Sequence, residues 1–546
     1  MSVIPTVTKS ARGLSIDFPD GVTFRPKFRL STALLLLAGL AVGLLVLLPP
    51  AYLMVRAASA GEAALGVLVK PTTLSAFGNT VLLATTVTLA SALLSVPLAW
   101  LTTCTDLPGR RFWTVAAALP LVLPSYVVAY LLASILGPRG IAQQTLEPLL
   151  GITRLPEIYG FPGAFLALTL MSYPYTFLSV RAALQRMDPS MIEAARSLGL
   201  GPWRTFYRVT LPHLRPALVA GSLLISLYVV RDFGAVSMMR YNTFTRIIYV
   251  QYRSFIDRSL AASLALVLVG MTAAILYLEL RTRGRAGYAR RSVGAARRMQ
   301  PVRLGRWRWP ALLFTSSVVL VALVLPAGGL VYWLIRGLNS GQVLSGLLPA
   351  AWNSLSVSMG AAMLAMAASL PVAVASVRRP GRLTQLLEQV TYVGYALPGI
   401  VIALALVFFG ASYAPTIYQT LPLLLAAYLI LFIPQAVGAT RSSLLQLPAS
   451  LEEAGRSLGH SPFSVMRRIT IPLLRPGLAA GGALVFLTCM KELPATLILS
   501  PLGFRTLATG VWASISEAFF AQAAAPALLL ILLSSVPLAL LTFRDE

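Results

Sequence analysis

The segment SMIEAARSLGLGPWRTFYRVTLPHLRP (190–216) is basic and is interrupted by glycine and proline, although the chain around it is strongly apolar. A second segment of the same kind, SLEEAGRSLGHSPFSVMRRITIPLLRP (450–476), begins 260 residues later. Two copies of one polar pattern in an apolar chain predict two related halves, each of which presents this segment for the same purpose.

The composition is typical of a protein that crosses a membrane many times. Of 546 residues, 57% are hydrophobic and 11% are charged, and the mean hydropathy is +0.78, whereas soluble domains carry about 25% charged residues. Apolar runs of roughly 17–25 residues are long enough to span a bilayer as helices. Twelve such runs are predicted: 31–54, 76–101, 113–136, 162–183, 214–235, 259–280, 309–336, 352–377, 386–410, 419–440, 475–499 and 522–543.

The positive charge lies mainly on one side of the predicted membrane. With the N-terminus inside, the inner loops and the C-terminal tail hold 32 of the 44 Lys and Arg residues. The positive-inside rule then predicts that both termini are cytoplasmic. We therefore interpret the net charge of +26 as contact with membrane lipid rather than with nucleic acid, and the stretch RLGRWRW (303–309) as a linker on anionic lipid.

Three further classes of feature are not predicted. The two cysteines, Cys104 and Cys489, do not indicate a disulfide framework or a thiolate metal site. Residues 1–30 are mixed and polar and the first apolar run is long, so a cleavable signal peptide is not expected. The sequence shows no nucleophile–base set or metal-ligand spacing of the kind that would predict an enzyme.

The two halves are separated by RTRGRAGYARRSVGAARRMQPVRLGRWRW (281–309), which contains ten arginines and no acidic residue. FGNTVLL (77–83) matches AWNSLSV (351–357), and ALPLVLPSYVVAYLL (118–132) matches TYVGYALPGIVIALAL (391–406). The predicted domains are a cytoplasmic N-terminal segment 1–30, repeat 1 at 31–280, an Arg-rich cytoplasmic linker at 281–308 and repeat 2 at 309–546.

Each repeat has six predicted spans, an even number, so both repeats have the same orientation. The predicted fold is an all-α integral membrane protein with twelve transmembrane helices in two parallel six-helix repeats. This excludes transporters built from inverted repeats. A proton-coupled secondary carrier with two parallel halves remains open, as does a scaffold or sensor that transports nothing.

The polar segment of each repeat is predicted to form two short helices joined by a bend. In the first copy, Ser190 and Glu193 form a capping box, and Gly199 ends the helix in the left-handed conformation. Pro202 then begins the second helix, which ends before Pro212. In the second copy the same positions are held by Ser450, Glu453, Gly459, Pro462 and Pro472.

Helices this short are marginal in water unless they pack against something else. The small residues Ala194 and Ala195 in the first copy, and Ala454 and Gly455 in the second, allow another backbone to approach closely. We predict a helix-in-groove contact with a cytoplasmic partner that has two matching surfaces, most simply a dimer. The alternative is an amphipathic connector that lies on lipid.

The pattern EAA-x-x-x-G, followed by a helix and a proline, resembles the coupling loop in permease subunits of bacterial binding-protein-dependent ABC importers. The resemblance covers nearly the whole chain and implies a type I ABC importer permease fold, whose coupling loops (188–212 and 448–472) seat in two copies of an ABC ATPase subunit. The matching ATPase-coupling positions are Glu193, Ala194, Ala195, Gly199, Glu453, Ala454, Gly455 and Gly459. Gly455 replaces the usual alanine, which is expected to loosen its helix by about 0.8–1.0 kcal/mol.

The resemblance also implies partners and a location. The sequence has no G-x-x-x-x-G-K-[ST] phosphate loop, so ATP and Mg are expected on the ATPase subunits, with no cofactor in this chain. A periplasmic substrate-binding protein is the other expected partner, and the bacterial inner (plasma) membrane is the expected location.

Two charge pairs, Arg231-Asp232 and Lys491-Glu492, occupy equivalent places in the predicted spans of the two repeats. A charge inside a span costs about 2.5–3.5 kcal/mol on the insertion scale, and such charges are usually functional. We interpret these residues as part of the translocation pathway or gate. The alternative, which is compatible, is that they neutralise one another and hold the two halves together.

The segments MKELPATLIL (490–499), GFRTLATGVW (503–512) and YALPGIVIALAL (395–406) resemble fused two-half permeases of bacterial ferric-iron importers. Relatives of those permeases carry thiamine, polyamines, sulfate or phosphonates. Ferric iron is a hard cation that prefers oxygen ligands. The candidate pathway oxygens belong to Asp232, Glu492, Tyr126, Tyr130, Tyr228 and Tyr395, and no metal site is assigned. The alternative for the tyrosines is that they are interfacial anchors or packing residues.

The outer loop between the fifth and sixth spans carries four arginines: Arg240, Arg246, Arg253 and Arg258. They are expected either to meet acidic patches on the binding protein or to be solvated loop charges.

Overall fold

A computed structural model describes residues 7–10, 13–16, 30–59, 61–151, 154–254, 258–283, 301–342 and 345–544. Most of the predicted segments 1–30 and 281–308 lies outside the described residues. Two short strands, Val7–Ser10 and Gly13–Ile16, pair antiparallel ahead of the first helix. From there on, the regular elements of the described chain are helices, which confirms the prediction of an all-helical membrane protein.

Repeat 1 is a series of helices joined by short loops. Its α-helices are Leu30–Ser59, Gly61–Leu68, Pro71–Cys104, Arg110–Ala118, Ser125–Leu136, Ile141–Leu150, Phe161–Arg186, Pro189–Ser197, Pro202–Thr205, Leu211–Arg231, Gly234–Met238, Phe244–Arg253 and Arg258–Arg283. A 3₁₀ turn at Leu119–Val122 and a π turn at Phe206–Thr210 interrupt the series.

Repeat 2 follows the same order. Its α-helices are Arg308–Val319, Leu325–Asn339, Leu347–Arg378, Arg382–Ala396, Gly399–Tyr413, Leu421–Gln446, Ala449–Ser457, Pro462–Val465, Ile471–Met490, Pro494–Leu499, Leu507–Ser516 and Phe520–Arg544. A 3₁₀ turn at Gly305–Trp307 precedes them, and π turns occur at Leu320–Val324 and Met466–Thr470.

Ten helical segments of the described chain are long and apolar enough to cross a membrane. The pair Arg382–Ala396 and Gly399–Tyr413, bent by 104°, accounts for one more. All twelve predicted spans fall on helix, but the third, fifth, ninth and eleventh are interrupted near a proline or a charge pair. The side chains of Phe520–Arg544 are described only to residue 535, so the count of twelve stays a prediction.

The helices that follow the two proline breaks lie at the centre of the molecule. Ser125–Leu136 and Gly399–Tyr413 are buried along most of their length, as expected for helices that are apolar on nearly all sides. Close contacts of small hydroxyl residues hold the neighbouring long helices together, and Ser95 Oγ donates to the carbonyl of Tyr173 at 2.7 Å. Such small polar contacts bring helix backbones close together where lipid provides no hydrophobic driving force.

The first span of each repeat packs against the other repeat. The ring of Tyr52, on Leu30–Ser59, lies 6.0 Å from the ring of Phe409 in repeat 2. In the reciprocal direction, Trp333 Nε1 donates to Ser134 Oγ of repeat 1 at 3.1 Å. Because each repeat supplies a helix to the other, the two repeats interlock, and the central broken helices are enclosed between them.

Candidate functional site

Loop A (188–212) and loop B (448–472) are the two copies of the polar segment. Each begins with a helix of nine residues, Pro189–Ser197 in loop A and Ala449–Ser457 in loop B. The two loops therefore have the same local architecture, and their differences can be compared residue by residue.

The capping boxes predicted at Ser190 and Ser450 are wrong. In loop A the N-cap is Asp188, whose carboxylate accepts a hydrogen bond from the Ser190 N–H at 3.0 Å. That bond lowers the pKa of Asp188. In loop B the N-cap is Pro448, which has no side-chain acceptor. The helices begin ahead of both serines, which therefore lie inside the first turn, where a hydroxyl no longer serves as the cap.

The helix ends are as predicted. Gly199 and Gly459 have φ angles of +80° and +84°, in the left-handed region that favours glycine. In both loops the N–H of the next residue reaches back to the carbonyl five residues earlier, at 3.1 Å in loop A and 3.2 Å in loop B. This is the Schellman arrangement, and it fixes the direction of the bend.

The second helix of each loop begins at the predicted proline, Pro202 or Pro462, but it does not end before the membrane span. It passes through a π turn and continues into the span without a break. The span helices that are joined in this way are Leu211–Arg231 in loop A and Ile471–Met490 in loop B. Single π turns inside α-helices are often found at functional sites. As a consequence, each loop is the end of a span helix rather than a separate module.

The inner face of each loop is filled by a pair of residues that differs between the copies. A Cβ on Gly455 would lie 2.5 Å from Ile469 Cδ1, so glycine makes room for the isoleucine. The matched residues of loop A are Ala195, which is buried, and Val209, which is half-buried. The larger helix residue is thus matched with the smaller second residue, and Gly455 makes room for packing within the chain.

The outer face of each loop is exposed and mixes acidic, small and apolar residues. Leu198 is 83% exposed and Leu458 is 79% exposed. The matched exposed residues around them are Glu193, Ala194, Glu453 and Ala454. A leucine directly before the helix-ending glycine in both copies was the sequence signal for this apolar tip, and sequence reasoning missed it.

Loop B has an anchor that loop A lacks. The buried Glu452 carboxylate accepts from Arg378 Nε at 3.1 Å and from Thr470 Oγ1 at 3.2 Å. The residues matched to Glu452 and Arg378 in repeat 1 are Ile192 and Cys104. Loop B is therefore tied to a neighbouring span by an ion pair, whereas in loop A the matched Ile192 packs against the apolar core.

The two charge pairs lie at breaks in the fifth and eleventh spans. Arg231 ends its helix, and the Asp232 carboxylate accepts from the Ala235 N–H (2.9 Å), at the start of the helix Gly234–Met238. In repeat 2 the Glu492 carboxylate accepts from the Ala495 N–H at 3.2 Å. Each carboxylate thus satisfies an orphan N–H group at a helix start, which accounts for the position of an acid at this depth.

The two cations reach across to the other repeat. Arg231 Nη1 donates to the carbonyl of Tyr395 at 3.2 Å, and Lys491 Nζ donates to the carbonyl of Leu121 at 2.8 Å. Tyr395 and Leu121 are matched positions, 274 residues apart, and Pro398 and Pro124 stand three residues beyond them. We call these two hydrogen bonds the latch.

The latch joins groups that the helix breaks leave without helical partners. A proline has no N–H to donate to the preceding turn, and the carbonyl end of a helix carries partial negative charge. A cation from the opposite repeat therefore supplies each carbonyl with a hydrogen-bond donor and also neutralises its partial negative charge. The latch is reciprocal, because each repeat supplies one cation and one carbonyl.

The carboxylates are accommodated differently in the two repeats. In repeat 1 the shorter Asp232 accepts from Ser125 Oγ. In repeat 2 the matched residues are Glu492 and Gly399, and a Cβ on Gly399 would lie 2.5 Å from Glu492 Oε1. The longer acid is therefore paired with the residue that has no side chain.

The predicted tyrosines divide into two groups. Tyr126 and Tyr228 lie within electrostatic range of Glu492 and Asp232, respectively, and the Tyr395 carbonyl belongs to the latch. Tyr130 lies apart from them and stacks on Phe520, with ring centroids 6.0 Å apart.

Two of these hydroxyls, those of Tyr126 and Tyr130, are buried without a hydrogen-bond partner in the described part of the chain. Sequence reasoning missed Tyr428, whose hydroxyl is 2.5 Å from Thr496 Oγ1 and within electrostatic range of Glu492. Among the described residues, no group of three or more His, Cys, Asp or Glu side chains could hold a metal ion. Any oxygen-rich environment here is formed by two carboxylates and tyrosines from both repeats.

Comparison with known proteins connects this arrangement to a family. The family model described as "Binding-protein-dependent transport system inner membrane component" matches residues 95–283 and 365–545. The chain is 35% identical over 522 residues to the Fe(3+)-transport system permease protein FbpB 2 of Haemophilus influenzae, covering 95% of this chain and 98% of that protein.

Two other relatives are more distant or shorter. The putative ferric transport system permease protein FbpB 1 of Haemophilus influenzae is 26% identical over 408 residues, covering 70% of this chain and 63% of the relative. The molybdenum transport system permease protein ModB of Escherichia coli is 37% identical over 159 residues, covering 28% of this chain and 68% of the relative.

The packing of loop B leads to a prediction about Gly455. Gly455→Ala introduces the usual motif residue but should destabilise loop B by about 1–3 kcal/mol, because overpacking forces neighbours to move. The double variant Gly455→Ala/Ile469→Val, which copies the loop A pair, should recover most of that loss. Thermal unfolding in detergent measures both. The packing account is wrong if the single variant is as stable as the wild type or if the second change restores nothing.

The latch leads to a second prediction. Lys491→Met should cost about 1–3 kcal/mol, the penalty of an unsatisfied buried polar group, because the Leu121 carbonyl loses its donor. Lys491→Arg is the matched control, since repeat 1 uses arginine at this position, and it should stay within about 1 kcal/mol of the wild type. Denaturation midpoints of the purified protein provide the measurement. Equal stability of the Met and Arg variants would contradict the role given to this hydrogen bond.

Proposed function

The chain belongs to the family of binding-protein-dependent transport system inner membrane components, and from that membership we propose that it carries ferric iron across the bacterial inner membrane. It is the permease of an ABC importer. The relative described as an Fe(3+) permease is similar over 95% of this chain, whereas the molybdenum permease is similar over 28%. The extent of the first similarity favours iron over the alternative solutes.

The proposed architecture has twelve spans in two parallel six-span repeats, with the domain boundaries predicted from the sequence. Both termini and both polar loops then lie on the cytoplasmic side. The distribution of Lys and Arg supports this orientation. Matched helices in the same order in the two repeats support the parallel arrangement.

Loops A and B are proposed to bind two copies of an ABC ATPase subunit, which would hold ATP and Mg. The exposed Leu198 and Leu458 provide an apolar anchor at each tip, and a second exposed apolar residue, Met191 or Leu451, lies seven residues earlier on the same helix face. Exposed apolar patches bordered by polar residues are typical of protein interaction sites. Glu193 and Glu453 are exposed next to these anchors. A periplasmic binding protein is the second proposed partner, on the opposite side.

One observation carries the mechanism: a single helical segment joins each loop to the latch. The helix that begins at Pro202 in loop A ends at Arg231, and the helix that begins at Pro462 in loop B ends beside Lys491. Movement of the loops by the ATPases would therefore displace both latch cations. Breaking the two latch bonds would separate the central helices, as alternating access requires.

The groups exposed by that separation suit a hard cation. The carboxylates of Asp232 and Glu492 and the hydroxyls of Tyr126 and Tyr228 are oxygen donors, and ferric iron prefers such ligands. We propose that these residues line the pathway, together with Tyr395. Tyr130 would act more remotely, through its packing on Phe520. As a transport permease, the chain would contribute binding and movement rather than an enzymatic reaction.

The coupling proposal predicts the effect of placing charge on both loop tips. Leu198→Asp/Leu458→Asp should abolish ATP hydrolysis that depends on the binding protein, because a carboxylate in an apolar groove loses its hydration. Retention of the ATPase on the purified permease should be lost as well. Leu348→Asp, at another position that is 80% exposed, should leave both readouts unchanged. Full activity of the double variant would contradict coupling through the loops.

The solute proposal predicts the response to different loaded binding proteins. In proteoliposomes, the ferric form of the cognate binding protein should stimulate ATP hydrolysis and radioactive iron uptake at least about tenfold over the empty form. Thiamine, polyamine, sulfate and phosphonate should give no stimulation. Stimulation by one of those solutes instead of iron would remove the iron assignment. Uptake that follows a proton gradient without ATP would overturn the importer itself.

A further inference from the structure

The two repeats have matching outer helices that differ in charge. Phe244–Arg253 and Leu507–Ser516 are each ten residues long, and each is preceded by a threonine at the N-cap, Thr243 or Thr506. The connection before each helix is held by an asparagine of the second or eighth span, which donates to a backbone carbonyl at 3.0 Å. These shared features align the two helices with an offset of 263 residues.

With this alignment, three arginines are confined to repeat 1. They are Arg240, Arg246 and Arg253, and the matched residues of repeat 2 are Gly503, Thr509 and Ser516. Arg246 and Arg253 are seven residues apart and so lie on one face of their helix. We call these three residues the arginine cluster. The side chain of Arg258 lies outside the described residues and is not included.

The arginine cluster lies near the mouth between the repeats rather than at the lipid-facing edge. The ring of Phe233, next to Asp232, is 4.8 Å from Tyr249 on the first outer helix. It is 5.2 Å from Trp512 on the second. Both outer helices therefore contact Phe233, which lies beside the latch on the side remote from loops A and B.

Arg240 occupies a backbone conformation that favours glycine. Its φ is +55°, and the matched Gly503 has φ +77°. A non-glycine residue in the left-handed region costs roughly 1–2 kcal/mol, and strain of this kind is concentrated at functional sites. The Arg240 guanidinium lies over the ring of Tyr159, 5.4 Å from its centroid, which holds the charge at the surface.

The positive charges of the cluster are not neutralised within the described part of the chain. Burial lowers the pKa of Arg246, and the nearby charge of Arg240 lowers it further. The polar partners are neutral: Arg246 donates to the Asn242 amide oxygen, and Arg253 Nη1 donates to the Tyr249 hydroxyl at 3.3 Å. None of the ion pairs among the described residues includes a member of the cluster.

Three cations without an acidic partner among the described residues oppose the approach of a free ferric ion, because like charges repel. They favour a solute that arrives bound inside a protein whose surface is negatively charged. Resting on the proposed function, we propose that the arginine cluster binds an acidic surface on one lobe of the solute-binding protein. The matched segment of repeat 2 has a single arginine, Arg505, where repeat 1 has three, so this contact sets which lobe lies over which repeat.

The experiment uses the full permease–ATPase complex in nanodiscs and the purified cognate binding protein. Arg246→Glu/Arg253→Glu should weaken binding of that protein by roughly tenfold or more, mainly through a slower association rate. The dependence of the association rate on salt should become weaker as well. Thr509→Glu, at the matched position of repeat 2, should change affinity less than about threefold.

Orientation is tested by moving one charge between the repeats. A photo-crosslinker on one lobe of the binding protein should reach a single outer helix in the wild type. Arg253→Ser/Ser516→Arg keeps the net charge, and it should shift at least part of the cross-linking to the other outer helix.

The outcomes separate this inference from the proposed function. Equal cross-linking of both outer helices in the wild type, with normal stimulation of ATP hydrolysis, overturns the orientation role and leaves the importer intact. Unchanged protein binding in Arg246→Glu/Arg253→Glu, with a response to anionic lipid content instead, assigns the cluster to lipid and also overturns the inference. Failure of the binding protein to stimulate wild-type ATP hydrolysis would instead count against the proposed function.

Discussion

The central structure depends on two backbone carbonyls that lie at helix ends, three residues before the proline of each span break. Pro124 and Pro398 break the third and ninth spans, and in a membrane the carbonyls that are freed have little access to water. Lys491 and Arg231 satisfy them from the opposite repeat. Each break is therefore stable while the two repeats are together, so the same hydrogen bonds that satisfy the helix ends also join the two repeats.

Matched positions in the two repeats show that local geometry is fixed by pairs of residues rather than by single residues. Gly455 faces Ile469 where the other repeat has alanine and valine at the matched positions, and Gly399 faces Glu492 where the other repeat has serine facing aspartate. In each pair a larger side chain at one position is accompanied by a smaller side chain at the other, as dense packing requires. The effect of a motif residue on local geometry thus depends on the residue that it contacts.

The sequence was sufficient for features that local chemistry determines. Apolar runs located the helical segments, and the glycines at 199 and 459 ended their helices as predicted. The prediction failed where neighbouring residues compete for the same role or where a distant partner decides. The helix start at Ser190 was wrong because the preceding residues Asp188 and Pro189 supply the cap and the first helical position. The latch could not be predicted, because Lys491 and Leu121 are 370 residues apart in sequence and a free carbonyl has no side-chain signature.

Fusion of the two repeats in one chain permits asymmetry that a homodimer cannot have, since a homodimer presents every substitution twice. The buried ion pair of Glu452 with Arg378 anchors loop B alone, and the arginine cluster marks repeat 1 alone. The latch, by contrast, keeps a cation in both repeats. Symmetry is retained where the two repeats bind each other, and it is lost in the contacts that each repeat makes within itself and on its outer surface. Under the proposed function, the two repeats would therefore move as one unit at the latch, while the outer surface of the chain would present different charges to the binding protein.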